Sequence, residues 1–267
     1  MKPPMPYAGG KSNIAETIVS LMPPHETYVE PFGGALSVFL AKYPSTVEVV
    51  NDLDSEIATF WRVLRTRSKE LERICAFTPH SREEYMAARA PGQGGDDLTV
   101  AWRVWVRLTQ GRGSRSNGTS GWRYTHGGNR MALSAYLRSY VRRIPPCAAR
   151  LLLTSIEHRP ALDVIHTYDR DDSLFYVDPP YIQNTRYGSI YSCEMGRDED
   201  HIELLNTLTS CRGKVILSGY RTALYDGLLS GWTRVDIPSV VMTGELRTES
   251  VWLNYPIPSP TLFDMVE

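Results

Sequence analysis

Cysteine is scarce and scattered. Cys75, Cys147, Cys193 and Cys211 form no CxxC pair and no cluster with histidine, which predicts reduced thiols rather than a disulfide framework or a zinc site. No apolar run approaches the roughly 20 residues that a bilayer-spanning helix needs, and the opening Met1-Lys2-Pro3-Pro4-Met5-Pro6 lacks the apolar stretch of a secretion signal. A cytoplasmic protein that does not enter a membrane is therefore expected. The full GxGxxG fingerprint of dinucleotide binding and the GxxxxGK[ST] phosphate loop are missing. So is any Ser/His/Asp or Cys/His pattern with a recognisable nucleophile motif. Covalent hydrolases, nucleotide triphosphatases and metal-built folds are thereby disfavoured.

One further absence is local. Between Leu98 and Ile156 there is no Asp, Glu or Lys, yet ten arginines stand there: Arg103, Arg107, Arg112, Arg115, Arg123, Arg130, Arg138, Arg142, Arg143 and Arg150. The whole chain has a formal charge of −1, so the remainder sums to about −11. Interleaved aromatics (Trp122, Tyr124, Tyr136, Tyr140) and polar Ser116, Asn117, Thr119 and Asn129 suit phosphate contacts combined with reading of base edges. A solvated basic face without a partner is the alternative.

What is present reads as an α/β chain. At 267 residues it fits one large domain, or a core domain with an insertion. The apolar run Ser173 to Val177 ends in Asp178-Pro179-Pro180-Tyr181, a buried strand stopped by prolines that supply no N–H to a sheet. In an open α/β sheet that end is where ligands bind. The Asp178 carboxylate and the Pro179 carbonyl offer two acceptors to one exocyclic amine, and Tyr181 offers a flat face for a base. A plain strand end and turn is the competing reading.

Earlier segments repeat this architecture. Tyr7-Ala8-Gly9-Gly10-Lys11 precedes apolar positions at helical spacing (Ile14, Ile18, Val19, Met22). The glycines allow close approach of a ligand to backbone N–H groups, and Lys11 brings a cation there, unless it is only a solvated lysine on a turn. Thr27 to Ala35, containing Glu30-Pro31-Phe32-Gly33-Gly34, reads as strand and glycine turn leading into a helix. Val47 to Asp52 is a second strand ending in an acid, from which a carboxylate can accept from ribose hydroxyls; Asp52 could instead cap the helix Ser55 to Arg65. Residues 55–95 read as helical up to the break Pro91 to Gly95. Val100 to Leu108 is helical or extended, Gly111 to Gly128 a long polar loop of functional type, and Met131 to Ile144 a helix. Beyond Ile156, an amphipathic helix is predicted around Asp200 to Leu208, with His201 a surface residue at its start. Strands are predicted at Lys214 to Tyr220 and Glu249 to Tyr255.

These motifs, in this order over most of the chain, closely resemble the Dam-type family of adenine-N6 DNA methyltransferases. Tyr7 to Lys11 resembles the family's amino-terminal cofactor motif, Glu30 to Gly34 its glycine loop, Asn51-Asp52 its ribose-binding acid, and Asp178 to Tyr181 its catalytic DPPY. The resemblance implies a Rossmann-like α/β methyltransferase core built from residues 1–55 and 157–267, with a mainly helical target-recognition insertion over 56–156. It implies S-adenosylmethionine as cofactor, contacted by Tyr7, Lys11, Pro31, Phe32, Gly33, Gly34, Asp52 and Asp178. Asp178, Pro179, Pro180 and Tyr181 would be catalytic, acting on an adenine flipped out of double-stranded DNA. Arg112, Arg115, Asn117, Trp122, Arg123 and Arg130 would bind the DNA. The expected unit is a monomer, with two copies on one site as the alternative.

One stretch departs from the family. Members that read GATC carry an asparagine-arginine and a phenylalanine-asparagine-glycine pattern, whereas here Leu108 to Arg112, Ser116-Asn117-Gly118 and Gly121-Trp122-Arg123 keep only the Asn-Gly and a nearby Arg. A different or relaxed adenine site is expected. Rival readings are an amino-methyltransferase acting on cytosine N4, RNA or a glutamine side chain, and a non-catalytic DNA-binding protein on the same fold.

Overall fold

The computed structural model describes residues 1–89, 93–118, 120–124, 133–181, 192–193, 195–240 and 246–257. In chain order its first elements are α1 (Ala15–Ser20), β1 (Thr27–Glu30), α2 (Ser37–Ala41), β2 (Val47–Asn51), α3 (Ser55–Thr66), α4 (Ser68–Phe77), α5 (Arg82–Ala88) and α6 (Asp97–Gln110). A short 3-10 turn at Arg112–Ser114 follows. Then come α7 (Leu133–Val141), α8 (Ile144–Arg150), β3 (Ser155–Glu157), α9 (Ala161–Tyr168), β4 (Ser173–Val177), α10 (Asp198–Ser210), β5 (Lys214–Gly219), α11 (Ala223–Leu228), β6 (Thr233–Val240) and β7 (Leu246–Leu253).

Among the described residues, seven strands form one sheet in the order β3-β2-β1-β4-β5-β7-β6. The five from β3 to β5 run parallel, and β7 lies antiparallel to both β5 and β6. Chain order reverses between β1 and β4, the switch point at which carboxyl ends diverge and leave a crevice. Period-2 alternation divides the central residues between two cores. Tyr28, Val50, Leu174 and Tyr176 face a cluster that includes α1 to α4 and α6 to α8. Val29, Val49, Phe175 and Val177 face the cluster built by α9, α10 and α11. Helices therefore cover both faces, which explains why β4 is buried at every position.

Local signals account for the helices beside the crevice. The Asp54 side chain caps α3 by accepting from Glu56 N at 2.9 Å and Ile57 N at 3.4 Å. Ile57, Phe60, Trp61, Val63 and Leu64 then line its buried face. In the same way Asp96 caps α6 at Thr99 N. The choice between helix and strand at Val100 to Leu108 falls to helix, and Trp105 is buried with its indole N–H on the Pro4 carbonyl at 3.1 Å. The helices of 56–156 share one buried cluster with α1, α2 and the sheet instead of enclosing a separate core.

Three expectations need correction. His201 is fully buried, its ring nitrogens 2.9 Å from the Tyr225 hydroxyl and 2.9 Å from the Met195 carbonyl; a polar side chain at a helix start sits inside because both nitrogens find partners. The arginines do not all form a free basic face. Arg107 is buried against Glu56, and Arg150 pairs with Glu48, its Nη2 2.6 Å from Glu48 Oε1, while lying over the Phe39 ring. Acids outside the segment thus neutralise cations inside it. Finally, the helix predicted over Met131 to Ile144 breaks at Arg142-Arg143, and α8 starts with Pro145-Pro146 in its first turn, where a missing N–H costs nothing. Among the described residues no helix is long and apolar enough to cross a membrane.

Candidate active site

The carboxyl ends of β1, β2 and β4 open into one cleft. It is lined by Tyr7 to Lys11, by Glu30 to Ala35, by Asp52 to Asp54 and by Asp178 and Pro180, with Ala161 and Leu162 closing one side. Sequence segments as far apart as Lys11 and Asp178, 167 positions, thus meet at the switch point.

Backbone geometry shapes this cleft. Gly34 has φ +48, and a Cβ there would stand 3.0 Å from the Tyr7 ring. A Cβ on Gly33 would meet the Asn51 carbonyl at 2.9 Å. The loop is fastened from outside: Gly33 N donates to Asn51 O at 2.7 Å and Asn51 Nδ2 to Pro31 O at 2.8 Å, while Trp61 Nε1 donates to Gly34 O at 2.8 Å. Asp52 accepts from Gly34 N at 2.7 Å through Oδ2 and from Asp54 N at 2.9 Å through Oδ1. Burial raises its carboxyl to about 7, against the pull of those two donors. It is Asp54, not Asp52, that caps α3, so the capping alternative for Asp52 is set aside.

Glu30, the last residue of β1, is a cleft residue that sequence reasoning left without a role, although it opens the glycine-loop motif. It accepts from the Tyr28 hydroxyl at 2.7 Å and from Phe39 N at 3.1 Å, and burial pushes its carboxyl up to about 8.

Asp178 stands at the end of β4 with Lys11 clamped on it. Lys11 Nζ lies 2.8 Å from Oδ1 and 2.7 Å from Oδ2, donates to Gly9 O at 2.8 Å, and is only 6% exposed. Burial raises the Asp178 carboxyl, and the Lys11 charge opposes that shift. The solvated-lysine reading therefore fails. Pro179 and Tyr181 are not among the residues lining the cleft. The Tyr181 hydroxyl lies 3.2 Å from Asp178 Oδ1 and bonds Glu249 Oε1 on β7, and its ring meets Tyr220 edge-on at 4.6 Å. Sequence reasoning read Glu249 only as the start of a late strand.

Most of the residues proposed to bind DNA sit on a folded-back loop beside this cleft. Gly111 bridges Trp122 in antiparallel fashion, with Arg112 N on Gly121 O at 2.8 Å and Arg123 N on Gln110 O at 2.7 Å. Arg112 is exposed over the Tyr124 ring at 4.4 Å. Arg123 is half-buried, over Tyr136 at 4.8 Å and donating to Gly111 O at 3.2 Å. Trp122 stacks on His80 at 4.6 Å, with the Arg82 guanidinium over it at 4.8 Å. Arg115 and Asn117 are half-buried on the same loop; Arg130, Thr119 and Asn129 lie outside the described residues. Hydrogen bonds join loop to cleft: Ala8 N donates to Ser114 O at 3.0 Å, and Ser192 N to Ser116 Oγ at 3.2 Å.

A family model described as D12 class N6 adenine-specific DNA methyltransferase matches residues 7–118 and 144–242, most of the chain. No curated protein matches.

Proposed function

The chain belongs to the D12 class N6 adenine-specific DNA methyltransferases, and from that premise we propose that its crevice binds S-adenosylmethionine and that Asp178 presents a flipped adenine amine to it. The carrying observation is the convergence of Tyr7 to Lys11, the glycine loop, Asp52 and Asp178 on one cleft at the switch point. The residues fit such a cofactor. Gly33 and Gly34 let the loop backbone pack against the Asn51 carbonyl and the Tyr7 ring, where a Cβ would stand 2.9 and 3.0 Å away, and so place it in the cleft wall. Among the residues lining the cleft, Asp52, Asp54 and Asp178 outnumber Lys11, a balance suited to a ligand bearing positive charge. Phe32, Leu53 and Leu162 supply apolar walls for a purine.

When bound, the cofactor supplies an electrophilic methyl group on a sulfonium. The chain positions the acceptor. Asp178 and the Pro179 carbonyl each take one N–H of the adenine amine, which turns the nitrogen lone pair toward the cleft. Holding two reactants in line contributes much of the acceleration. Asp178 need not remove a proton before attack, because the amine becomes acidic only as the new N–C bond forms. In a duplex the amine is shielded, so the base is extruded first. Residues 56–156 serve as the recognition insertion, with Arg112, Arg115, Asn117, Trp122 and Arg123 at the DNA. Cleft and loop belong to one chain, so a monomer suffices.

The test is transfer of labelled methyl from S-adenosylmethionine to unmethylated plasmid DNA, followed by nucleoside analysis and mapping of modified positions. N6-methyladenine at a repeated short sequence is expected; label confined to cytosine or absent, with folded and cofactor-bound protein, would refute the assignment.

A further inference from the structure

Half-buried Asp178 and buried Glu249 are two carboxylates that converge on one ammonium and one phenol. Lys11 Nζ touches both oxygens of Asp178 and stands 3.7 Å from Glu249 Oε1. The Tyr181 hydroxyl bridges Asp178 Oδ1 and Glu249 Oε1. Lys11 also lies over the Tyr181 ring, 5.1 Å from its centroid. Glu249 is 5% exposed and does not line the cleft. It reaches this cluster from β7, at the position paired with Ile237 on β6.

A buried carboxylate costs several kcal/mol unless charge and hydrogen bonds compensate it. Glu249 carries that cost at a place where the fold alone would accept an apolar residue, since its neighbours Val251 and Leu253 on the same strand are fully buried. Its contacts lead to the residues assigned to methyl transfer. We infer that Glu249 is a positioning residue of the reaction: it holds the Tyr181 hydroxyl and draws on the charge of Lys11, so that Asp178 remains available to accept the adenine amine. This role rests on Asp178 being the group that receives that amine.

The logic follows from the acceptors. Lys11 alone on Asp178 would hold both of its oxygens, one of which the amine needs. With Glu249 near by, the ammonium has a second anion to turn to when the base enters. Tyr181, tied to Glu249, cannot swing its ring away from the place where a base would stack. Among the described residues, the charged and titratable groups facing Glu249 are Lys11 from the amino-terminal segment and Asp178, Tyr181 and Tyr176 from β4 and its end.

Three variants and one pH series test this, with Asp178→Asn alongside. Glu249→Ala should lower kcat about tenfold, the effect of one missing positioning hydrogen bond, with cofactor affinity unchanged. Glu249→Gln keeps an acceptor for the Tyr181 hydroxyl and should recover most of that loss. It removes a negative charge beside Asp178, so the acid limb of the kcat profile should move to lower pH. In a Tyr181→Phe background, adding Glu249→Ala should cost less of kcat than it does in the wild type, because the shared hydrogen bond is already gone and only the Lys11 contact is left to lose. If Glu249→Ala folds poorly, the Glu249→Gln profile decides. An acid limb identical to wild type in Glu249→Gln, or wild-type kcat in Glu249→Ala, would overturn the inference. Wild-type turnover by Asp178→Asn would instead remove the underlying reading, whatever Glu249 does.

Discussion

The cleft and the arginine loop solve opposite electrostatic problems. In the cleft, carboxylates sit at the ends of buried parallel strands, and burial raises Glu30, Asp52, Asp178 and the adjoining Glu249 above the ordinary carboxylate range. On and around the loop, guanidinium groups lie on aromatic faces at or near the surface: Arg82 on Trp122, Arg112 on Tyr124, Arg123 on Tyr136. The first arrangement is largely buried and fastened by backbone hydrogen bonds. The second keeps planar cations oriented but close to water, where a phosphate can replace part of their hydration. Under the proposed function, chemistry that needs two reactants in line falls to the strand ends, and recognition that must differ between DNA sites falls to the loop.

Substitutions in the two regions should separate by what they change. Asp178→Ala should show the largest effect, a fall in methyl transfer of roughly 10³-fold or more, as for removal of a group acting at the reacting atoms; a loss under tenfold would place the chemistry elsewhere. Gly33→Ala comes next. Its Cβ would press on the Asn51 carbonyl, so we expect a stability loss of about 1–3 kcal/mol in denaturant unfolding, together with weaker cofactor binding. Wild-type values for both would mean that the glycine loop is looser than its packing indicates.

On the loop, Arg112→Ala or Arg115→Ala should weaken DNA binding several-fold while leaving cofactor binding alone. Each arginine that neutralises a phosphate should, on removal, reduce the slope of log K against log salt by about 0.9. An unchanged slope would move that arginine off the backbone. The smallest effect is expected from Glu30→Gln. A carboxyl raised to about 8 when folded is protonated in the native state through neutral pH, so its stabilising share is complete below the ordinary carboxylate range and is lost as pH rises through about 8. The variant has no such group to ionise. Its stability should therefore fall less steeply than wild type between pH 5 and about 9, and parallel curves would contradict the assignment.

The two regions also differ in how far they could be read from sequence. The central strands and their terminal motifs were legible because a buried parallel strand is a continuous apolar run, and its end is marked by glycine, acid or proline. The strand at Lys214 and the helix around Asp200 followed from the same periodicities. β6 escaped notice: Arg234, Asp236 and Pro238 interrupt its pattern, which an edge strand tolerates and a central one does not. β3, three residues long, has no periodicity to detect. Charge counting along the chain could not foresee that Glu56 and Glu48 would reach Arg107 and Arg150 from outside the arginine segment. Within the site, Glu249 was invisible in its role because Tyr181 lies 68 positions away and Lys11 near the opposite end of the chain, brought together only when β7 inserts beside β5. The placement of His201 depended in the same way on Tyr225, a residue of a helix that the sequence did not announce.

The division of labour between cleft and loop is most directly tested in a single-turnover experiment. Enzyme loaded with labelled S-adenosylmethionine is mixed with saturating DNA, and the rate of N6-methyladenine formation is compared for wild type, Asp178→Ala and Arg112→Ala. Arg112→Ala should reach the wild-type rate once enough DNA is present, whereas Asp178→Ala should bind DNA and form no product on the same timescale. Equal impairment of both variants at saturation, or near-normal transfer by Asp178→Ala, would contradict that division.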